Sequence, residues 1–128
     1  MLVFDEWCEK KGFVLKDTPS DFVMPKDITL ISHADVMNLM AKAVAWQEFV
    51  GSYFAAFKAR LLYCNYEKRK AVEDKHAWDK EVVNTKIDLE KCKHLTITYE
   101  SYIKLFSREI TRRTNLAQQE LRYDKLTG

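Results

Sequence analysis

The chain has 128 residues, of which 47% are hydrophobic and 31% are charged, with a formal net charge of +2 at pH 7. This length indicates one domain, and three glycines with two prolines exclude a turn-rich all-β fold. No apolar run approaches the roughly 20 residues that span a bilayer, so we expect a cytoplasmic protein without membrane contact. The three cysteines have no metal or redox spacing and suit a reduced, cytosolic protein.

The first 31 residues are predicted to form a packing or oligomerisation segment ahead of a helical hairpin, within one domain covering 1–128. A short helix is expected over residues 1–11. Its apolar side is formed by Leu2, Val3, Phe4 and Trp7. Residues 12–31 should be extended, because the two prolines disfavour helix before them, and the pattern allows a short strand at Phe13–Leu15. Their apolar content predicts packing on the long helix or on a neighbouring subunit.

A long amphipathic helix is predicted from about residue 33 to residue 77. Ser32 should cap its start, because its hydroxyl can accept a free amide while Asp35 lies at the positive end of the dipole. Apolar residues recur every seven positions, which is typical of a coiled coil or a long hairpin. This repeat comprises Val36, Ala43, Val50, Phe57, Cys64 and Ala71. Gly51 is either an ordinary tolerated glycine or a point where another helix approaches closely.

A second long helix is predicted from about residue 80 to residue 122. Its apolar stripe comprises Val82, Leu89, Cys92, Leu95, Tyr99, Tyr102, Ile103, Phe106, Ile110 and Ala117. A turn centred near Trp78 brings together Cys64 with Cys92, Phe57 with Tyr99, and Val50 with Phe106. The predicted fold class is therefore all-α, a long antiparallel helical hairpin with a short N-terminal helix and an extended N-terminal segment. The competing interpretation is one continuous helix through residue 78, as in an extended oligomer.

A hairpin of this length covers only one face of each helix, so apolar side chains are left over. They include Trp46, Tyr53, Phe54, Tyr63, Tyr66 and Tyr102. A large exposed apolar patch usually marks a protein interface. We therefore expect a homo-oligomer.

Cations alternate with aromatic side chains in residues 57–70. Single-stranded nucleic acid needs both, since cations neutralise phosphates and rings stack on bases. Lys58 aligns with Arg69 on one helix face. Arg60 lies about 200° from Lys58, in the apolar row of Trp46 and Tyr53 that runs beside the seven-residue repeat. Arg60 should either pair with a carboxylate across the hairpin or point into a groove between subunits. The alternative for the whole stretch is a solvated basic face.

A second basic pattern lies on the later helix, where Lys104, Arg108 and Arg112 are spaced four residues apart and share one face. Like charges at this spacing repel by a few tenths of a kcal/mol per pair, a cost that a bound anion removes. That anion is either phosphate or the acidic N-terminal part of a neighbouring chain, where residues 1–40 hold seven acidic and four basic side chains. Glu109 and Arg113 should form a structural i, i+4 pair.

The sequence contains no spacing typical of an enzyme. It lacks a glycine-rich phosphate loop, a Gly-x-Ser-x-Gly elbow and paired histidines at metal spacing. His33, His76 and His94 are expected to be solvated or capping. We therefore predict a non-enzymatic protein with no cofactor and no metal.

Two motifs carry a resemblance to the UvsY family of phage recombination mediators. The stretch 57–63, Phe-Lys-Ala-Arg-Leu-Leu-Tyr, is similar to that family's Leu-Lys-Ala-Arg-Leu-Asp-Tyr motif, with Phe57 in place of the leading Leu and Leu62 in place of the Asp. The stretch 105–113, Leu-Phe-Ser-Arg-Glu-Ile-Thr-Arg-Arg, resembles one in small helical proteins of tailed phages, some of them UvsY-like. The likeness extends over about residues 34–113, and outside these motifs it is one of pattern.

The resemblance implies a non-enzymatic homo-oligomer that binds single-stranded DNA in the host cytoplasm. Such a protein contacts a recombinase and a single-strand binding protein, and helps load the first in place of the second. By resemblance, Lys58 and Arg60 would be DNA contacts. The residues themselves add Arg69, Lys104, Arg108 and Arg112 as candidates.

Two other functions fit the same composition. A virion or assembly protein would use its apolar stripes only against other proteins. A small inhibitor of a host complex would instead use the acidic N-terminal region.

Overall fold

The computed structural model describes residues 2–127, and these contain three helices and no strand. Helix α1 spans Phe4–Lys11, α2 spans His33–Lys70 and α3 spans Lys75–Thr127. Helices α2 and α3 pack against each other along their length. The predicted all-α hairpin is therefore confirmed, with its short N-terminal helix and extended segment, while the strand allowed at Phe13–Leu15 does not form.

Helix α1 is short and docks on the middle of α2. Gly12 ends it with a φ of +83°, a left-handed conformation that favours glycine, and its N–H donates to the Glu9 carbonyl at 3.2 Å. Trp7 is 2% exposed and packs with Ala56 of α2. This helix therefore depends on tertiary packing, because eight residues are too few for a stable helix in water.

The extended segment that follows α1 lies along the groove between α2 and α3, as predicted for packing on the long helix. Phe22 contacts three aromatic rings of α3. The indole N–H of Trp46 donates to the Ser20 carbonyl at 2.8 Å. At the far end, Arg113 of α3 donates to the Ile31 carbonyl at 2.7 Å. The extended segment thus forms a third layer on one side of the two-helix hairpin.

Helix α2 begins as the sequence predicts. The Ser32 hydroxyl accepts the Asp35 N–H at 3.1 Å, which satisfies one of the free amides at the helix start. Most members of its inward repeat are fully buried, namely Val36, Ala43, Val50 and Cys64. A Cβ built on Gly51 would meet no atom within 4 Å, so no helix of the described chain approaches closely there.

The predicted position of the hairpin turn is wrong. Helix α2 ends at Lys70, residues 71–74 turn, and α3 begins at Lys75 rather than at residue 80. The sequence predicts Trp78 at the centre of the turn, but it lies in the first turn of α3 and packs with Cys64 and Val82. It extends the apolar stripe of α3 by four residues, and burying its large ring favours helix there. The continuous helix is excluded by this break.

Because the turn comes earlier, the predicted pairing of the two helices is also wrong. Trp46, not Phe57, stacks on Tyr99, with ring centroids 5.9 Å apart. Phe106 packs with Val36 and Ala43 rather than with Val50. Each of these α3 residues faces a point two to three helical turns nearer the start of α2 than predicted.

The two long helices differ in length, so α3 projects beyond its partner. Its contact with Ile31 places Arg113 level with the start of α2. Residues 114–127 continue for about 20 Å past this point, and 114–126 are exposed. The predicted end near residue 122, with frayed residues after it, is therefore too early. Within residues 2–127, no helix combines the length and the apolar content needed to cross a membrane.

Candidate nucleic-acid interface

Arg60 is buried between α1, α2 and α3 near the hairpin turn, with only 2% of it exposed. Its guanidinium donates to the Leu2 carbonyl at 2.8 Å and lies 3.5 Å from the Glu81 carboxylate of α3. The rings of Trp7 and Tyr63 lie 5.3 and 5.4 Å from it, within the range of a cation–π contact. The first of the two predictions for Arg60, a carboxylate partner across the hairpin, is confirmed. A buried guanidinium does not fit a phosphate contact in this conformation.

Lys58 and Arg69 lie on the outward face of α2. Lys58 is exposed, and its ammonium lies 5.3 Å from the ring of Phe54. Arg69 is exposed and forms no ion pair with the described residues. Most aromatic rings of this stretch pack inside the fold: Phe57 stacks on Phe4 at 4.3 Å, for example. The predicted alternation of cations and rings therefore does not form a single surface.

The three cations of α3 share one exposed face, as predicted. Two of them have a carboxylate partner on the same helix. Lys104 lies 3.2 Å from Glu100, and Arg112 donates its Nε–H to Glu109 at 2.9 Å. Arg108 forms no ion pair with the described residues. Neighbouring carboxylates therefore relieve much of the repulsion that was expected to require a bound anion.

Glu109 is a buried carboxylate with 4% of its side chain exposed, and it holds two arginines in place. Arg112 and Arg113 both donate to it, and Arg113 in turn binds the end of the extended segment. These hydrogen bonds, first from Arg112 and then from Arg113, lower the pKa of Glu109 to about 2. The predicted structural pair Glu109–Arg113 is confirmed, and it fixes the extended segment to α3.

The pKa of Glu109 predicts an acid-sensitive contact. The carboxylate has a lower pKa in the folded chain than the ordinary value near 4.3, so its stabilising effect is complete above that value. The effect is lost as the pH falls from about 4 toward 2. We expect Glu109→Gln to lower the free energy of unfolding clearly at pH 7 and progressively less below pH 4, measured by urea denaturation. Glu100→Gln, at an exposed carboxylate on the same helix, serves as the control and should change it little at either pH.

The cysteines are free and buried, and burial raises the pKa of each thiol. The prediction that Cys64 and Cys92 are core residues is confirmed. A raised thiol pKa disfavours the nucleophilic thiolate. Among the described residues, no group of three or more histidine, cysteine or acidic side chains is arranged to hold a metal ion.

A surface that the sequence reasoning missed runs along the outward side of α3. Its positions follow one another three or four residues apart, on the side opposite the buried Cys92. This outer stripe of α3 comprises Val83, Ile87, Glu90, His94, Ile97, Ser101, Leu105, Arg108 and Arg112, and all of these are exposed. Exposed cations flank it, namely Lys80, Lys86, Lys91, Lys93 and Lys104. The sequence feature that could have revealed this surface is its spacing, which matches that of the buried stripe of α3 but lies half a helical turn away around the helix.

The predicted cations do not gather in one place. Two contacts show which residues of α2 and α3 lie side by side along the hairpin: Arg60 with Glu81, and Arg113 with Ile31 at the start of α2. Lys58 then lies level with about residue 87 of α3, on the other side of the hairpin from the outer stripe. Arg112 lies about 35 Å further along the molecule. Only the α3 cations belong to an extended basic surface.

No family model, no curated protein and no solved structure matches the chain. The likeness to phage recombination mediators therefore depends on the two motifs, which have different environments here. The first motif, 57–63, is partly buried, and its Arg60 contacts Trp7 of α1 and the Leu2 carbonyl just before that helix. The second, 105–113, contributes Leu105, Arg108 and Arg112 to the outer stripe.

Proposed function

We propose that the chain is a non-enzymatic, single-stranded DNA-binding recombination mediator of the host cytoplasm that acts as a homo-oligomer and helps load a recombinase. The observation that supports it best is the outer stripe of α3 with its flanking lysines. The stripe and its flanks span about 50 Å from Lys80 to Arg112. Four carboxylates lie on or beside this surface, namely Asp79, Glu90, Glu100 and Glu109, against seven cations, so cations predominate.

Such a surface suits a flexible polyanion. Cations placed along a rod can follow successive phosphates, while exposed Val83, Ile87 and Ile97 between them offer apolar contact to unpaired bases. These contacts read no base edges, so binding should be nearly independent of sequence and steeply dependent on salt. The single-strand binding protein and the recombinase are the proposed protein partners, on the resemblance of the two motifs.

The test is the affinity of the full chain for a fluorescent oligothymidine at several salt concentrations. Lys86→Gln/Arg108→Gln removes one flanking cation and one stripe cation, both exposed and without an ion pair within residues 2–127. We expect affinity to fall about tenfold or more at roughly 50 mM salt, and the slope of log K against log salt to fall by about 1.4. Lys10→Gln/Lys26→Gln removes the same charge away from the stripe and should change both much less.

Equal losses for the two double variants would show that only net charge matters, and would contradict a site on α3. A DNA duplex of equal length should bind more weakly, because the apolar side chains of the stripe cannot reach stacked bases.

The second candidate function is a virion or assembly protein. The free end of α3 favours it, since Leu116, Leu121 and Leu126 are exposed there. If the chain binds no oligonucleotide at roughly 50 mM salt, the DNA proposal fails and the assembly proposal stands.

A further inference from the structure

The outward side of α2 carries a second seven-residue repeat, distinct from the one that faces α3. Its positions alternate three and four residues apart. This outer seam of α2 comprises Met37, Ala41, Val44, Glu48, Gly51, Ala55, Lys58, Leu62, Asn65 and Arg69, and all but Val44 and Asn65 are exposed. At its middle, a Cβ on Gly51 would meet nothing within 4 Å, and Leu62 is 73% exposed. A repeat at this spacing on an uncovered helix face is typical of a coiled-coil seam.

The order of residues along this seam is self-complementary about the level of Tyr53. If a two-fold axis is placed there, two α2 helices run antiparallel, and each seam position of one copy meets a seam position of the other. Glu48 meets Lys58 of the second copy, and the symmetry makes this pair twice. Gly51 meets Ala55 between the two charge pairs, so the smallest side chains lie where the helices must approach most closely.

The layers next to the centre are complementary as well. The same axis brings Val44 of one copy against Leu62 of the other, an apolar contact on both sides of the charge pairs. A parallel arrangement would instead place Glu48 against Glu48 and Lys58 against Lys58. Like charges facing each other disfavour that arrangement, so the charge pattern selects the antiparallel one.

We propose that the outer seam of α2 binds a second copy of this chain as an antiparallel two-fold dimer, with Glu48–Lys58 pairs on either side of a Gly51–Ala55 centre. The seam from Met37 to Arg69 is about 48 Å long. A contact about 10 Å wide along it buries on the order of 1,000 Å² over both copies, which is the lower limit for a specific interface. The dimer should therefore dissociate on dilution.

This dimer does not depend on DNA binding. The outer stripe of α3 lies on the opposite side of the hairpin, so both copies keep their basic surfaces open. The proposal assigns Lys58 to a protein contact instead of the DNA contact that the resemblance implies. Dimerisation is measured without DNA, and the oligothymidine titration does not require a dimer. DNA binding and this dimer can therefore fail separately, whereas a monomeric chain would also contradict the homo-oligomer of the proposed function.

The test is a charge exchange, followed by sedimentation equilibrium of the full chain from about 1 to about 200 μM. Glu48→Lys places lysines against Lys58 of the second copy, and Lys58→Glu places glutamates against Glu48. Each single variant should raise the dimer dissociation constant at least about tenfold. The double variant Glu48→Lys/Lys58→Glu should restore it, and so should an equimolar mixture of the two single variants.

Within one chain the two residues are about 15 Å apart along the same helix, so the restoration must come from a second copy. Lys10→Glu is the control, because Lys10 is exposed and lies outside the seam, away from the Glu48–Lys16 pair. It should leave the dissociation constant unchanged. A wild-type chain that stays monomeric to about 200 μM overturns the proposal, as do single variants that dimerise like the wild type.

Discussion

Arg60→Ala should lower the free energy of unfolding by about 2–4 kcal/mol. The substitution removes a side chain packed between Trp7 and Tyr63, and it leaves the Leu2 carbonyl without its donor. Glu81 is 34% exposed and can be hydrated once Arg60 is gone, so the loss of this ion pair adds little to the fall in the free energy of unfolding. Urea denaturation followed by circular dichroism measures the change. Arg122→Ala, at an exposed arginine on the free end of α3, should change it by less than about 0.5 kcal/mol.

The same variant separates a structural role of Arg60 from a DNA contact. At a temperature where Arg60→Ala is still folded, its oligothymidine affinity should equal that of the wild type, because the guanidinium is buried in the folded chain. The amides of α1 should exchange faster with solvent, since Arg60 ties this helix to α2 and α3. A variant of wild-type stability that has lost DNA affinity would contradict the structural role and restore the one implied by the resemblance.

Phe106→Ala should be the most destabilising single truncation, at about 3–5 kcal/mol. Its ring has no exposed surface and is surrounded by Val36 and Ala43 of α2 and by Phe22 of the extended segment. Removing it opens a cavity where all three layers meet. Leu105→Ala, one residue earlier and 40% exposed, should cost less than about 1 kcal/mol by the same denaturation measurement.

A double-mutant cycle with Phe106→Ala also tests the pairing of the helices. Truncation of Val36, which packs with Phe106, should couple to it by at least about 0.5 kcal/mol. Truncation of Val50, the partner predicted from sequence, should be additive within about 0.3–0.5 kcal/mol. The reverse pattern would mean that the hairpin turn lies near Trp78 after all.

The sequence alone predicted the helices and their faces well, because both are local properties. The seven-residue repeat from Val36 to Cys64 gives α2 its buried side, and Ser32 supplies its cap. The two prolines and the apolar content after Gly12 correctly indicated an extended segment that packs on the rod. In each case the spacing within one turn, or one capping residue, determines the outcome.

The candidate site was harder to predict because a charge pattern does not reveal its neighbours. The spacing of Lys104 and Arg112 predicts that these cations repel their neighbour Arg108, yet Glu100 and Glu109 on the same helix form ion pairs with them. The sequence predicts that Arg60 either pairs with a carboxylate across the hairpin or points into a groove between subunits. Only its burial beside Glu81 and α1 decides between these two predictions. The outer stripe of α3 could be identified only in the folded structure, because its exposure depends on which face of α3 the rest of the chain covers.

By itself, the sequence determined that this is an all-α protein with two long amphipathic helices, a capped start at Ser32 and an N-terminal segment that lies on them. Those features follow from the helical repeat and from proline and serine chemistry, which act over a few residues. Tertiary structure alone decided where the hairpin turns, which residues face each other, and that Arg60 is buried while the α3 cations are exposed. The turn at 71–74 contains neither glycine nor proline, so burial of Trp78 against Cys64, a contact between distant parts of the chain, sets its position.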